Sequence, residues 1–266
     1  MPKPRVGGMA LGNGVLVHSS DHWACAHRDK QGDLQIASGK KPVVLPGVRS
    51  PLLRGIVRIG EGLAVVPAAG RALPGAEVPY RSRRMLATLA VGWLLARVLR
   101  TTNLPPMQQE LALGSMSIVP LALALRGSSV AAYHGAEHIT IGSWEHDEPR
   151  TRVHERCGSH LALPLLGATA VGNVLAGQLT RTRTGASVGR SVAAAAALGL
   201  SVEAFGWMLR NPDRPLARAL AAPGSWLQRY FLTSEPSEAQ IEVAQAALEE
   251  CLRLEADAAG QVSDSD

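Results

Sequence analysis

Aromatic side chains make up only 4% of these 266 residues: two Phe, three Tyr and five Trp. A large core filled by rings is thereby excluded, and Leu, Val and Ala must do the packing. Cysteine is equally sparse. Cys25, Cys157 and Cys251 are widely spaced, form no C-x-x-C pair and offer no disulfide framework, which fits a reducing compartment. The opening residues, MPKPRVGG, lack the apolar stretch of a secretory signal. No run of Lys or Arg is interleaved with aromatics as single-strand binding requires, so nucleic acid is not an expected partner.

What the chain does have is apolar sequence gathered into four stretches: MLATLAVGWLLARVL (85–99), LALGSMSIVPLALAL (111–125), LALPLLGATAVGNVLAGQL (161–179) and VAAAAALGLSVEAFGWML (192–209). A bilayer span wants ~20 mostly apolar residues, with ~17 as a floor. The last two stretches meet that length. The first two are shorter, and Arg97 inside the first can snorkel from near a helix end. These segments are apolar all round, and little amphipathic sequence remains to cover them as a buried soluble bundle. The expected architecture is therefore mainly α: a multi-pass membrane helical protein with about four spans.

The remaining sequence divides around these spans. Residues 1–45 read as a β-rich N-terminal segment, with strand candidates at Val15–His18, Trp23–His27 and Leu34–Ala37 and a turn over Asp29–Gly32. Residues 46–80 read as an amphipathic, interfacial helix starting near Pro51, followed by a Pro/Gly/Ala linker from Pro67. Residues 81–210 form the membrane domain with a His-rich loop at 126–160. Residues 211–266 read as an interfacial stretch, anchored by Trp226, Tyr230 and Phe231, and then an amphipathic helix. Ser237 and Gln240 have the form of its capping box, and GQVSDSD is a disordered tail.

Charge is asymmetric. Residues 1–84 hold 13 Lys+Arg against 5 Asp+Glu, whereas residues 211–266 hold 4 against 10. Arg81, Arg83 and Arg84 precede the first span, and Arg126, Arg150, Arg152 and Arg156 lie in the His-rich loop. The positive-inside rule then places the termini and that loop on the cytoplasmic face of a bacterial membrane, with Arg181, Arg183 and Arg190 counting against it.

Five of the eight histidines fall between His134 and His160. In YHGAEH, a helix would set His134 and His138 one turn apart on one face, a spacing at which two imidazoles can share one Zn²⁺. Glu137 completes H-x-x-E-H, the reversed zinc-peptidase pattern, in which the carboxylate serves as general base. HERCGSH follows, where His154 or Cys157 could supply a third ligand. Alternatively, the histidines bond headgroups or carbonyls, and Glu137 pairs with Arg126 or Arg152. Glu203, in the middle of the fourth stretch, is costly there without a partner. It either reaches the metal site or pairs with Arg97. His18, His22 and His27 form a looser set.

GGMALGNGV, HWACAHRDKQGDL, PLLRGIVRIGEGL, YHGAEHITI, HERCGS, SVEAFG and APGSWLQRYFLTSEPSEAQIEVAQAAL, in that order, resemble the YqhQ-like family of bacterial membrane proteins, a family of unknown function. The resemblance spans most of the chain. It implies a multi-pass membrane protein described as a predicted metal-dependent enzyme, with His134, Glu137, His138, His154 and Cys157 at the motif positions and Glu203 as the acidic residue of the last span. The chain departs from the family at Met9 and Asn13, where Gln and Glu are usual, and at His18 and Ile139, where Arg and Lys are usual. The loss of the N-terminal carboxylate puts in question any catalytic part it plays. Two functions are expected on this basis. One is a zinc-dependent hydrolase at the cytoplasmic membrane face, acting on a membrane-proximal peptide or lipid. The other is a non-enzymatic membrane scaffold or chaperone-like assembly factor for other membrane proteins, stapled by a structural metal. Transport is weaker, since the spans carry little charge beyond Glu203 and Arg97.

Overall fold

The structure is a computed structural model that describes residues 3–43, 45–48, 50–78, 83–180 and 182–263. Arg81, Arg181 and the last three residues of the expected tail lie outside the described residues. The chain is mainly helical, with an N-terminal antiparallel meander of β1 (Gly7–Ala10), β2 (Gly14–His18), β3 (His22–Arg28) and β4 (Leu34–Lys40).

Alternation along these strands gives the sheet two buried faces. Val15, Val17, Ala24 and Ala26 point to one side and pack with Val243, Ala244, Ala247, Leu248 and Cys251 of α8 (Glu238–Ser263). Tyr133, Ala136 and Ile141 of α4 (Ser129–His146) join that core. Leu16, Trp23 and Cys25 point the other way, onto Val65, Ala69 and Leu73 of α1 (Pro51–Ala72) and the residue after it. The result is a layered α/β/α unit.

Local chemistry explains several boundaries. Asp29 C=O accepts from Gly32 N–H at 3.1 Å, and Gly32, at φ +92°, closes the expected turn. Pro51 occupies the first turn of α1, where its missing N–H costs nothing. The Ser237/Gln240 capping box forms as expected, Ser237 N–H donating to Gln240 Oε1 at 2.9 Å. Two features differ from expectation. α1 runs through Pro67 to Ala72 where a linker was expected, because Val65, Ala69 and Leu73 repeat at four-residue spacing and bury against the sheet. β1 was not among the strand candidates. Its sequence, GGMA, has no strand propensity, and its pairing with β2 makes it a strand.

The second half of the molecule is built from α2 (Arg83–Leu99), α3 (Pro106–Leu125), α5 (Ala162–Leu179) and α6 (Arg183–Arg210), with α7 (Pro215–Leu227) across their end. Among the described residues, two helical segments, Gly158–Leu179 and Thr184–Arg210, are long and apolar enough to cross a membrane, with 17% and 22% of their apolar windows buried. α3 and α4 pass that test only as a pair, bent by 90°, so α4 turns away to lie on the sheet and α8. Among the described residues, two to three candidate spans thus stand where about four were expected. The shortfall lies at α2, whose 17 residues include three arginines, Arg83, Arg84 and Arg97. Arg97 stacks over the Trp93 ring at 5.0 Å.

Candidate metal centre

Ser128 caps α4, its Oγ accepting from Ala131 N–H at 3.2 Å, and Asp147 ends the helix in the left-handed region at φ 56°. Between these stops, helical geometry puts His134, Glu137 and His138 on one face, the two imidazoles with centroids 4.2 Å apart. The chain then returns so that Cys157, ahead of a short 3-10 turn (Gly158–Leu161), brings its thiol to 3.6 Å from His134 Nε2. Ligand atoms of His134, His138 and Cys157 all lie within 4.8 Å of one another. Such a span suits one ion with Zn–N near ~2.0 Å and Zn–S near ~2.3 Å.

Tautomers make this a fit rather than a coincidence of distance. His134 Nδ1 lies 2.9 Å from the Leu232 carbonyl and His138 Nδ1 lies 2.8 Å from the Arg152 carbonyl. A carbonyl only accepts, so each Nδ1 carries the proton and each Nε2 presents its lone pair to Cys157 and Glu137. Spending the second ring nitrogen on a carbonyl is the common way to orient a ligating histidine.

Glu137 is almost fully buried, its Oε2 3.9 Å from Nε2 of both histidines, and among the described residues its carboxylate makes no hydrogen bond. Neither Arg126 nor Arg152 pairs with it. Arg126 lies over the Phe231 ring, while Arg152 donates to the Arg229 and Thr233 carbonyls. Burial pushes the Glu137 carboxyl above the ordinary range, opposed by His134 and His154 nearby.

The other expected ligands stand elsewhere. His154 is one layer out, its ring 5.4 Å from His138 and its Nε2 3.0 Å from Glu145 Oε2. Arg156 binds the other Glu145 oxygen at 2.6 Å. Against the upward push of partial burial, these two contacts hold the Glu145 carboxyl below its usual range. Glu203 is not brought to the group, and its partner is not Arg97. It makes a two-bond pair with Arg54 of α1, Nε to Oε1 at 3.0 Å and Nη2 to Oε2 at 2.8 Å. That pair meets the cost of a carboxylate in an apolar helix, which a reading confined to the four apolar stretches had no way to supply. The looser histidines disperse: His22 pairs with Glu255 at 2.9 Å, His27 with Asn13 at 3.3 Å and His18 with Lys41 at 3.3 Å.

Three positioning residues escaped the sequence reading. Gln228, fully buried in a π-helical turn (Gln228–Leu232), accepts from His154 N–H at 2.8 Å and donates to the His154 carbonyl at 3.1 Å and Ser159 Oγ at 2.8 Å. It clamps the loop that carries Cys157, and its turn supplies the Leu232 carbonyl to His134. Gly8 of β1 is the second: a Cβ there would collide with Glu137 Oε1, so a larger residue would force the carboxylate out of its place under the strand. Gly135 is the third, pressed against the Ser234 carbonyl where any side chain would clash. Asn13, where the resembled family carries Glu, is a latch. Its side chain bonds the Gly75 carbonyl at 2.9 Å and Glu77 N–H at 2.8 Å.

A family model described as "Protein of unknown function (DUF1385)" matches residues 118–254, just over half of the chain and the part that carries His134, Glu137, His138 and Cys157. Among curated proteins, the chain is 26% identical over 306 aligned positions to "Uncharacterized protein YqhQ" of Bacillus subtilis (strain 168), covering 95% of this chain and 94% of that protein. No solved structure matches.

Proposed function

Since the chain belongs to the DUF1385 family of proteins of unknown function, we propose that it is a membrane protein with a divalent-metal centre, zinc by donor preference, acting as a hydrolase at the cytoplasmic face. One observation carries the reading: two Nε2 lone pairs and a thiol converge beside a buried carboxylate that makes no hydrogen bond among the described residues. Three protein donors leave a position open in a tetrahedral ion, as catalytic sites do. A divalent ion bound there supplies Lewis acidity.

The chain's residues do the rest. Glu137, with a carboxyl raised by burial, takes a proton from an attacking water and can return it to a leaving group. The Leu232 and Arg152 carbonyls hold the imidazoles in register, Gln228 holds the loop of Cys157, and β1 shields Glu137 on one side. His154, itself fixed by Glu145, backs His138.

Membrane residence is supported by the outward-facing apolar helices. Leu89, Trp93, Leu94, Leu175, Val192 and Leu200 are all about half exposed or more. The bilayer is the partner this implies, with membrane-proximal peptides or lipids as the substrate class.

Cysteine favours a second reading, since thiolate ligands predominate in structural zinc sites. If Glu137 closes the coordination sphere, the centre is a staple and the protein a scaffold. Metal content by mass spectrometry, wild type beside His134→Ala/His138→Ala, tests the centre: near one equivalent, lost in the variant, is expected. Glu137→Gln separates the readings. In a hydrolase the metal stays while complementation of the null strain fails, whereas in a scaffold stapled through Glu137 metal and complementation are kept or lost together.

A further inference from the structure

A cavity of about 660 Å³ opens beside the centre, outside the metal ligands. Its wall is the end of α6, with Phe205, Met208 and Leu209, against α7. Its lining carries four cationic side chains against two carboxylates, Glu145 and Glu155, the latter paired with His146 at 2.7 Å. Arg156 and Lys3 line it but are spent on Glu145 and Asp147, at 2.6 Å each. Arg5 and Arg218 also line it and have no carboxylate partner among the described residues; Arg218 donates only to the Asp213 carbonyl, at 2.7 Å. The volume is that of a small-molecule site, which runs ~300–1,000 Å³. An apolar floor under two uncompensated guanidiniums matches one chemistry, a hydrocarbon chain carrying an anionic head. Guanidinium in particular suits phosphate, which it grips with two parallel N–H donors.

We infer that this cavity is a binding site for an amphiphile with a net-anionic phosphate head, its chain against Phe205, Met208 and Leu209 and its headgroup held by Arg5 and Arg218. The place agrees with the chemistry. Met208 and Leu209 are in the last turn of a candidate span, just before Arg210, where a bilayer's headgroup layer begins. Trp226 and Tyr230, both exposed and 5.7 Å apart, follow at the far end of α7 as interface side chains do. The inference rests on the membrane reading for the direction of entry and does not require the metal.

The test uses full-length protein in neutral detergent, with phosphatidylglycerol or phosphatidylcholine carrying brominated acyl chains. Trp144 lines the cavity, so its quenching is read as the difference between wild type and Trp144→Phe. Phosphatidylglycerol should quench at roughly tenfold lower concentration than phosphatidylcholine, and Arg5→Ala/Arg218→Ala should abolish that preference with metal content unchanged. Brominated lysophosphatidic acid distinguishes the sources: stronger quenching than by phosphatidylglycerol assigns a single-chain phosphate ester, weaker quenching a two-chain membrane lipid. Lipid carried through purification, quantified in wild type and the double variant, reads the same preference without touching Trp144. Equal quenching by the two bilayer lipids, a preference that survives the double variant, or full displacement by glycerol phosphate alone would overturn the assignment.

Discussion

The two halves of this molecule handle apolar residues in opposite ways. In the α1/sheet/α4–α8 unit, Leu16, Val17, Ala24, Cys25, Val65 and Val243 are at most 1% exposed. In the helical half, α2 has no buried residue among those described, and Trp93 and Val98 are 59% and 65% exposed. Neither half is richer in apolar sequence by accident. In one half these side chains pack inward, in the other they stay exposed along helices of which two are long and apolar enough to cross a membrane, and the candidate metal centre sits where the halves meet. Its histidines stand on the helix that enters the first half, while its cysteine and its carbonyl clamps come from the loop and turn flanking the second.

The largest expected effect would break this comparison outright. Leu16→Ala empties a site between the sheet and α1 and should cost about 2–5 kcal/mol, whereas Leu94→Ala on α2 should change stability by less than ~0.5 kcal/mol. Thermal unfolding of both variants in detergent checks this, and equal losses would mean that the halves do not differ. Next is Gln228→Ala, which strips two bonds from the backbone of His154 and leaves buried groups unpaired. A loss of about 1–3 kcal/mol and weakened metal retention are expected in the same melts and metal assays.

Thiol labelling sharpens the picture further. Burial pushes the Cys25 thiol up to about 12 and the Cys251 thiol up to about 11, so both should resist maleimide in the native protein. Half-buried Cys157 should label, and added zinc should protect it, as peptide mapping would show. The smallest effect concerns Glu250 on α8, where Arg253 and Ser38 hold the carboxyl below its usual range. Its contribution is present above the unfolded value of ~4.3 and is lost as pH falls through the lower folded value. Glu250→Gln should therefore flatten the acid limb of the stability profile slightly, since its partner Arg253 is more than half exposed and solvent screens the pair.

Short-range chemistry was legible without coordinates. Alternation marked β2, β3 and β4; Asp29–Gly32 marked a turn; Ser237 and Gln240 marked a helix start. The i, i+4 spacing of His134 and His138 placed them on one face, and Cys157 was among the third-ligand choices. Glu203 was legible only as a charge in need of a partner, because Arg54 lies 149 residues away. Gln228 and Gly8 were invisible for a related reason: neither is a ligand, and each acts through a contact that packing creates.

Sequence alone determined which residues carry metal-binding chemistry, which segments are apolar and where several helices and turns begin, because each depends on neighbours within a few positions. Only the tertiary structure decided that His154 stands behind His138 on Glu145, that Glu137 is buried beneath Gly8 and that both imidazoles turn Nε2 inward. Those outcomes are set by carbonyls and side chains brought together from distant parts of the chain, and no local pattern encodes them.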